Sequence, residues 1–140
     1  MFDELNKYKT NDHFFYSATD SLEEQCNAPA IGHGVCIVYE LKHGRIDMVF
    51  TGGSGTSDNS KYKGIRDFIL NGQEGAKTRN QTWAVKMLAQ DIEALDVYWW
   101  VINDKNNKES AAEVEKVILK RYVEIYGNLP RWNKGRRKSG

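Results

Sequence analysis

The chain predicts a small α/β domain in which a three-stranded antiparallel or mixed sheet is flanked by helices. Three observations lead there. Two short, apolar, β-branched runs at 34–39 and 45–51 are separated by Lys42-His43-Gly44, the composition of a hairpin with a glycine-bearing loop. A third such run, 96–103, follows two helix-like stretches. The last long segment, from Ala111 to Tyr126, repeats apolar residues at the helical period and is stopped by Gly127 and Pro130.

Length and composition bound what these elements can be. At 140 residues the chain holds one domain with a core, and 40% hydrophobic against 28% charged residues is a globular balance. No apolar run approaches a membrane span and no signal-type apolar core follows Met1, so a cytoplasmic protein is expected. Cys26 and Cys36 lack the spacing of a zinc or disulfide framework and are expected to be reduced and buried. Net charge is only +1, but Arg131, Lys134, Arg136, Arg137 and Lys138 fall near the end without an intervening acid. These five are candidate phosphate contacts, with a merely solvated basic terminus as the competing reading.

Taken in order, residues 1–30 form an N-terminal extension with short helices at 2–8 and near 21–26, where Ser21 and Glu24 have capping-box spacing. Strands at 33–40 and 45–51 follow. The stretch 52–60 is rich in glycine and hydroxyls and could present backbone N–H groups to a phosphate, yet it lacks the lysine of a P-loop and the spacing of a dinucleotide fingerprint. A plain connector is the alternative. A helix at 62–70 packs Ile65, Phe68 and Ile69 and carries Arg66 on the edge of that face. A longer helix at 81–95 presents Trp83, Val85, Leu88, Ile92 and Leu95, and the strand after it carries Trp99 and Trp100, expected in the core and not as a base-stacking platform.

In the closing helix Val114, Val117, Ile118, Tyr122 and Ile125 share a face, while Glu113, Lys116, Lys120 and Glu124 lie opposite. Glu115 breaks the pattern, falling beside Leu119 and between Tyr122 and Tyr126, inside the apolar arc. A carboxylate aimed at a packed face is costly unless a cation, a metal or hydrogen bonds receive it. A rim glutamate, or one paired with Arg121, is the structural alternative.

The order of these motifs resembles the GIY-YIG nuclease domain. The residues that carry the likeness are Gly34-Val35-Cys36 running on to Tyr39, then Val49-Phe50-Thr51-Gly52 with Gly53-Ser54 behind it. An Arg on the next helix, Glu115-Lys116-Val117-Ile118-Leu119-Lys120 on the last, and the ending Leu129-Pro130-Arg131-Trp132-Asn133 complete it. It covers about 100 of 140 residues, so that 31–133 would be the nuclease domain and 134–140 a basic tail.

The resemblance implies a metal-dependent endonuclease that hydrolyses phosphodiester bonds of DNA. Glu115 would hold one Mg²⁺ (or Mn²⁺), Arg66 would grip the scissile phosphate with Arg79 as the fallback, and Asn133 would tie the chain end back to the site. Gly34 and Gly52 would be structural there. A hard cation held by one carboxylate plus waters and substrate oxygens is ordinary for Mg²⁺. The chain departs from the family pattern where Cys36 and Phe50 replace its two tyrosines. Tyr62 and Tyr39 are the candidates to supply the missing hydroxyl, with His43 a third. Two readings follow: a DNA endonuclease, which as a homodimer could cut both strands, or a catalytically degraded protein of the same fold that binds nucleic acid through Arg66 and the basic tail.

Overall fold

The computed structural model describes residues 2–55, 61–74, 77–103 and 109–134. After a 3₁₀ turn at Asp3–Lys7 come β1 (Asn11–Tyr16), α1 (Leu22–Gln25), β2 (His33–Lys42) and β3 (Arg45–Gly53). Then follow α2 (Ile65–Asn71), the two-residue strands β4 (Gln73–Glu74) and β5 (Lys77–Thr78), α3 (Arg79–Ala89), β6 (Ala94–Asn103) and α4 (Ala111–Tyr126).

The α/β class is as expected, but the main sheet has four strands, in the order β1-β6-β2-β3 and antiparallel throughout, where three were predicted. The extra strand is β1, in the stretch expected to be an extension. Asn11-Asp12-His13-Phe14-Phe15-Tyr16 pairs with β6 and places Phe14 and Tyr16 in the core while Phe15 stays out. That alternation of apolar side chains at period two is a strand signal, spread over too few residues to stand out. The central hairpin turns on His43 and Gly44, both at positive φ (50° and 76°), as a two-residue hairpin loop requires.

Alternation along β2 builds two cores. Cys36 and Val38 face α2 and α3, in a cluster with Phe50, Phe68, Trp83 and Trp132. Val35 and Ile37 face the other way, with Ile118 of α4 and Leu5 and Tyr8 of the N-terminal turn. Both cysteines are free and buried.

Two helices differ from prediction. α3 ends at Ala89, not near 95, because the chain turns at Asp91 (φ 57°) and Leu95 is delivered to β6. Only Trp83 and Met87 of its apolar residues are buried, one helical turn apart, leaving Val85 and Leu88 exposed. In α4 the inward stripe runs through Ala111, Glu115, Ile118 and Tyr122, so Val117 and Ile125 face outward. Gly127, in the left-handed conformation, caps it. Among the described residues no helix is long and apolar enough to cross a membrane.

Candidate functional site

β2 and β3 meet at their glycine-bearing ends. Gly34 lies so close to β6 that a Cβ there would stand 1.8 Å from the Trp100 carbonyl oxygen. This backbone approach admits only glycine. Gly52 packs its Cα against Phe68 on the α2 side. Gly53 faces the opposite side, and there the second turn of α4 delivers Glu115. Its Oε1 lies 3.1 Å from the position a Cβ on Gly53 would take, and the Gly34 carbonyl oxygen lies 3.0 Å from that same point. Glu115 is half-buried. The missing side chain at Gly53 is what admits a carboxylate to the sheet surface.

Behind Gly53, Ser54 knots the two strands. Its N–H donates to the Gly34 carbonyl (2.9 Å), and its hydroxyl accepts from the Gly34 N–H (2.9 Å). His33, buried at the start of β2, brings Nδ1 to 3.2 Å from the Ser54 carbonyl and 3.1 Å from its hydroxyl. A carbonyl only accepts, so a bond to it puts a proton on Nδ1 and leaves Nε2 as the nitrogen that can exchange one. His33 escaped sequence reasoning because nothing in its spacing distinguishes it. Its adjacency to the glycine of β2 is the one signal that could have found it.

The C-terminal end closes on the same strand. Asn133, buried, accepts from the Thr51 N–H (3.0 Å) and donates to the Thr51 carbonyl (2.8 Å), while Trp132 enters the core beside Trp83. Asn133 thus ties the last described residues to the strand that carries Gly52 and Gly53.

The other predicted residues are placed elsewhere. Arg66 spends its guanidinium on the N-terminal segment, donating to the carbonyls of Cys26 (2.8 Å), Ala28 (3.4 Å) and Glu23 (3.3 Å). Arg79 is buried among the rings of Phe50, Phe68 and Trp83, its Nε donating to the Phe68 carbonyl. Tyr62 packs edge-on against Phe68, on the sheet face opposite α4. Tyr39 is on the α4 side but four residues along β2 from Val35, the partner of Gly53, about 13 Å at strand rise. Burial, helped by the charges of Tyr98 and Asp96, raises the Tyr39 hydroxyl above its usual ionisation range. His43 is in the hairpin turn at the far end. Cys36 and Phe50, where the resemblance expects tyrosines, are wholly inside the core.

Arg131 is held by Glu40 through two parallel bonds of 2.9 Å and also donates to Gln90. Glu40 is 5% exposed, so this pair is part of the fold. Lys134 is exposed, and Arg136, Arg137 and Lys138 lie outside the described residues.

For a divalent ion, Glu115 is the carboxylate at this end of the sheet, and among the described residues no group of three His, Cys, Asp or Glu side chains is gathered. One carboxylate would suit only an ion that takes its other ligands from water and substrate oxygen. Comparison of the chain with protein-family models, with curated proteins and with solved structures gave no match.

Proposed function

We propose that the protein is a metal-dependent DNA endonuclease of GIY-YIG type whose site lies where β2 and β3 end beneath α4. The observation that carries this reading is the Glu115 carboxylate seated on Gly53 beside the Gly34 carbonyl. A helix carboxylate held over two glycine-bearing strands, with Asn133 bracing one of them, supports the same reading.

Glu115 would hold one Mg²⁺ or Mn²⁺, which when bound neutralises charge on phosphoryl oxygens. With Cys36 and Phe50 unable to serve, His33 takes the role of proton acceptor through Nε2, its tautomer held by Ser54. Phosphate charge falls to Lys63, exposed on the segment that the Ile65 N–H ties to the Gly32 carbonyl at the entrance of β2.

The test is nicking of supercoiled plasmid by purified protein with MgCl₂, with MnCl₂ and with chelator. Cleavage should need the metal and fall by at least about 100-fold in Glu115→Gln. Cleavage untouched by that substitution would sink the proposal. The second reading, a nucleic-acid binder without catalysis, is favoured by the burial of Cys36 and Phe50; with Arg66 engaged by backbone carbonyls, its nucleic-acid contacts would fall to the basic tail. Retarded DNA without cleavage under either metal would select it.

A further inference from the structure

The four-stranded sheet is wider than its helical cover on the α4 side. α4 lies chiefly over β2 and β3, and the N-terminal turn covers part of the rest, so the outer surface of β6 and β1 keeps an open aromatic face. On it His13 stacks on Tyr98 (ring centroids 4.6 Å apart, planes 9° apart), and the ring of Trp100 is nearly parallel to that of Tyr98 (6.0 Å, 18°). Tyr39 stands almost perpendicular to Tyr98 (5.5 Å, 83°). Between this floor and wall opens a cleft of about 400 Å³, closed on another side by Phe2 and bordered by the carboxylates of Asp3 and Asp96. Asp96 is buried and bonded to His13 at 2.7 Å, so its carboxylate is held in position.

Such a lining selects its ligand by charge. Aromatic faces are the negative poles of ring quadrupoles and attract a cation within about 6 Å of their centres. With His13 already stacked on Tyr98, the ring surface that lines the cleft for a guest is that of Tyr39 and Trp100 with the remaining part of Tyr98, and the flanking carboxylates add attraction of the same sign. A nucleic-acid strand stacked on this floor would bring its phosphates toward Asp3 and Asp96, which repel them. The volume falls within the small-ligand range of about 300–1,000 Å³.

We infer that the cleft between Tyr39, Tyr98, Trp100 and Phe2 is a binding site for a small organic ammonium ion. The methylated ammonium head sits in the corner between the Tyr98 and Trp100 floor and the Tyr39 wall, with Asp3 and Asp96 balancing its charge. This site is separate from the Glu115 end of the sheet and does not depend on the nuclease reading.

The experiment compares choline chloride with its uncharged isostere, 3,3-dimethyl-1-butanol, at constant ionic strength. Ring resonances of Tyr98 and Trp100 are followed by NMR. Choline should shift them saturably and bind at least about tenfold more tightly than the alcohol, the difference expected from cation–π and carboxylate attraction together. Asp3→Asn, an exposed substitution that leaves the core intact, should weaken choline binding about threefold, and Tyr98→Leu should abolish it. If Tyr98→Leu does not fold, Asp3→Asn alone decides. Equal response to choline and the alcohol, no saturable shift with choline, or an unchanged affinity in Asp3→Asn would each overturn the inference. So would an uncharged base-bearing ligand such as adenosine moving the same resonances more strongly than choline.

Discussion

The carboxamide of Asn133 holds both backbone groups of Thr51, accepting from its N–H at 3.0 Å and donating to its carbonyl at 2.8 Å, with Asn133 only 4% exposed. The residue acts as a missing neighbour strand for one position of β3. Asn133→Ala leaves a buried donor and acceptor unmet and should cost about 2–4 kcal/mol in chemical denaturation. An unchanged midpoint would show that water replaces the amide.

Arg131 has the charge of a phosphate contact and the geometry of a fold residue. Its bidentate hold on Glu40 is half-exposed on the arginine side, which screens it, yet Glu40 itself is buried. Arg131→Ala should therefore destabilise by about 1–3 kcal/mol by stranding that carboxylate. The salt dependence of any DNA affinity should stay as it was, because the guanidinium is already paired. A shallower salt slope with unaltered stability would return Arg131 to the phosphate contacts.

Arg66 separates in the same way. Arg66→Ala removes bonds to three carbonyls of the segment around α1 and should raise amide exchange and protease cleavage there, with a loss of about 1–3 kcal/mol. If its work were gripping a phosphate, exchange would not change and only turnover would drop.

Gly34 and Gly53 are neighbours in space with opposite tolerances. Gly34→Ala sets a Cβ against the Trp100 backbone, which no rotamer change relieves, and the protein should fail to fold or lose more than about 3 kcal/mol. In Gly53→Ala the Cβ meets the Gly34 carbonyl oxygen at 3.0 Å and the Glu115 carboxylate at 3.1 Å, contacts that a shift of a few tenths of an ångström relieves. It should fold with a loss near 1 kcal/mol while metal-dependent activity falls through displacement of the carboxylate. Full activity in Gly53→Ala would mean that the position of Glu115 over the strand is irrelevant to function.

Glu109, just before α4, accepts from the Tyr8 hydroxyl and from Lys7, and these two, the hydroxyl first, hold its carboxyl below the usual range. A carboxyl depressed by folding contributes stability above its unfolded value, near 4.5, and loses it as pH falls through the lower folded value. Melting curves taken on both sides of that pH should show an acid-side loss that is smaller in Glu109→Gln. Tyr8, raised by burial and by the same carboxylate, stays protonated throughout this window.

The parts legible in the chain were those with a local cause. The hairpin at His43-Gly44 and the Gly127 stop of α4 are written in turn chemistry, and the inward position of Glu115 follows from helical period alone. What escaped was set by partners far away. β1 is a strand because β6 offers it an edge, and Leu95 leaves α3 for β6 because the sheet recruits it. Arg66 looked like a charge aimed at a site, since a sequence cannot show that carbonyls of Glu23, Cys26 and Ala28 wait at its end. His33 went unnoticed for the converse reason, as its partner Ser54 comes 21 residues later.

The pairing of β1 with β6 also sets a timetable. His13 and Asp96, bonded across that pair, are 83 residues apart in the chain. During synthesis at about 5–20 residues per second, the Phe-Phe-Tyr strand therefore waits roughly 4 to 17 s for its partner. For that interval the nascent chain carries an unpaired aromatic edge, the kind of segment that chaperones engage and that aggregates when they do not. Assembly of the sheet is thus held until β6 has been made, however early β2 and β3 form their hairpin.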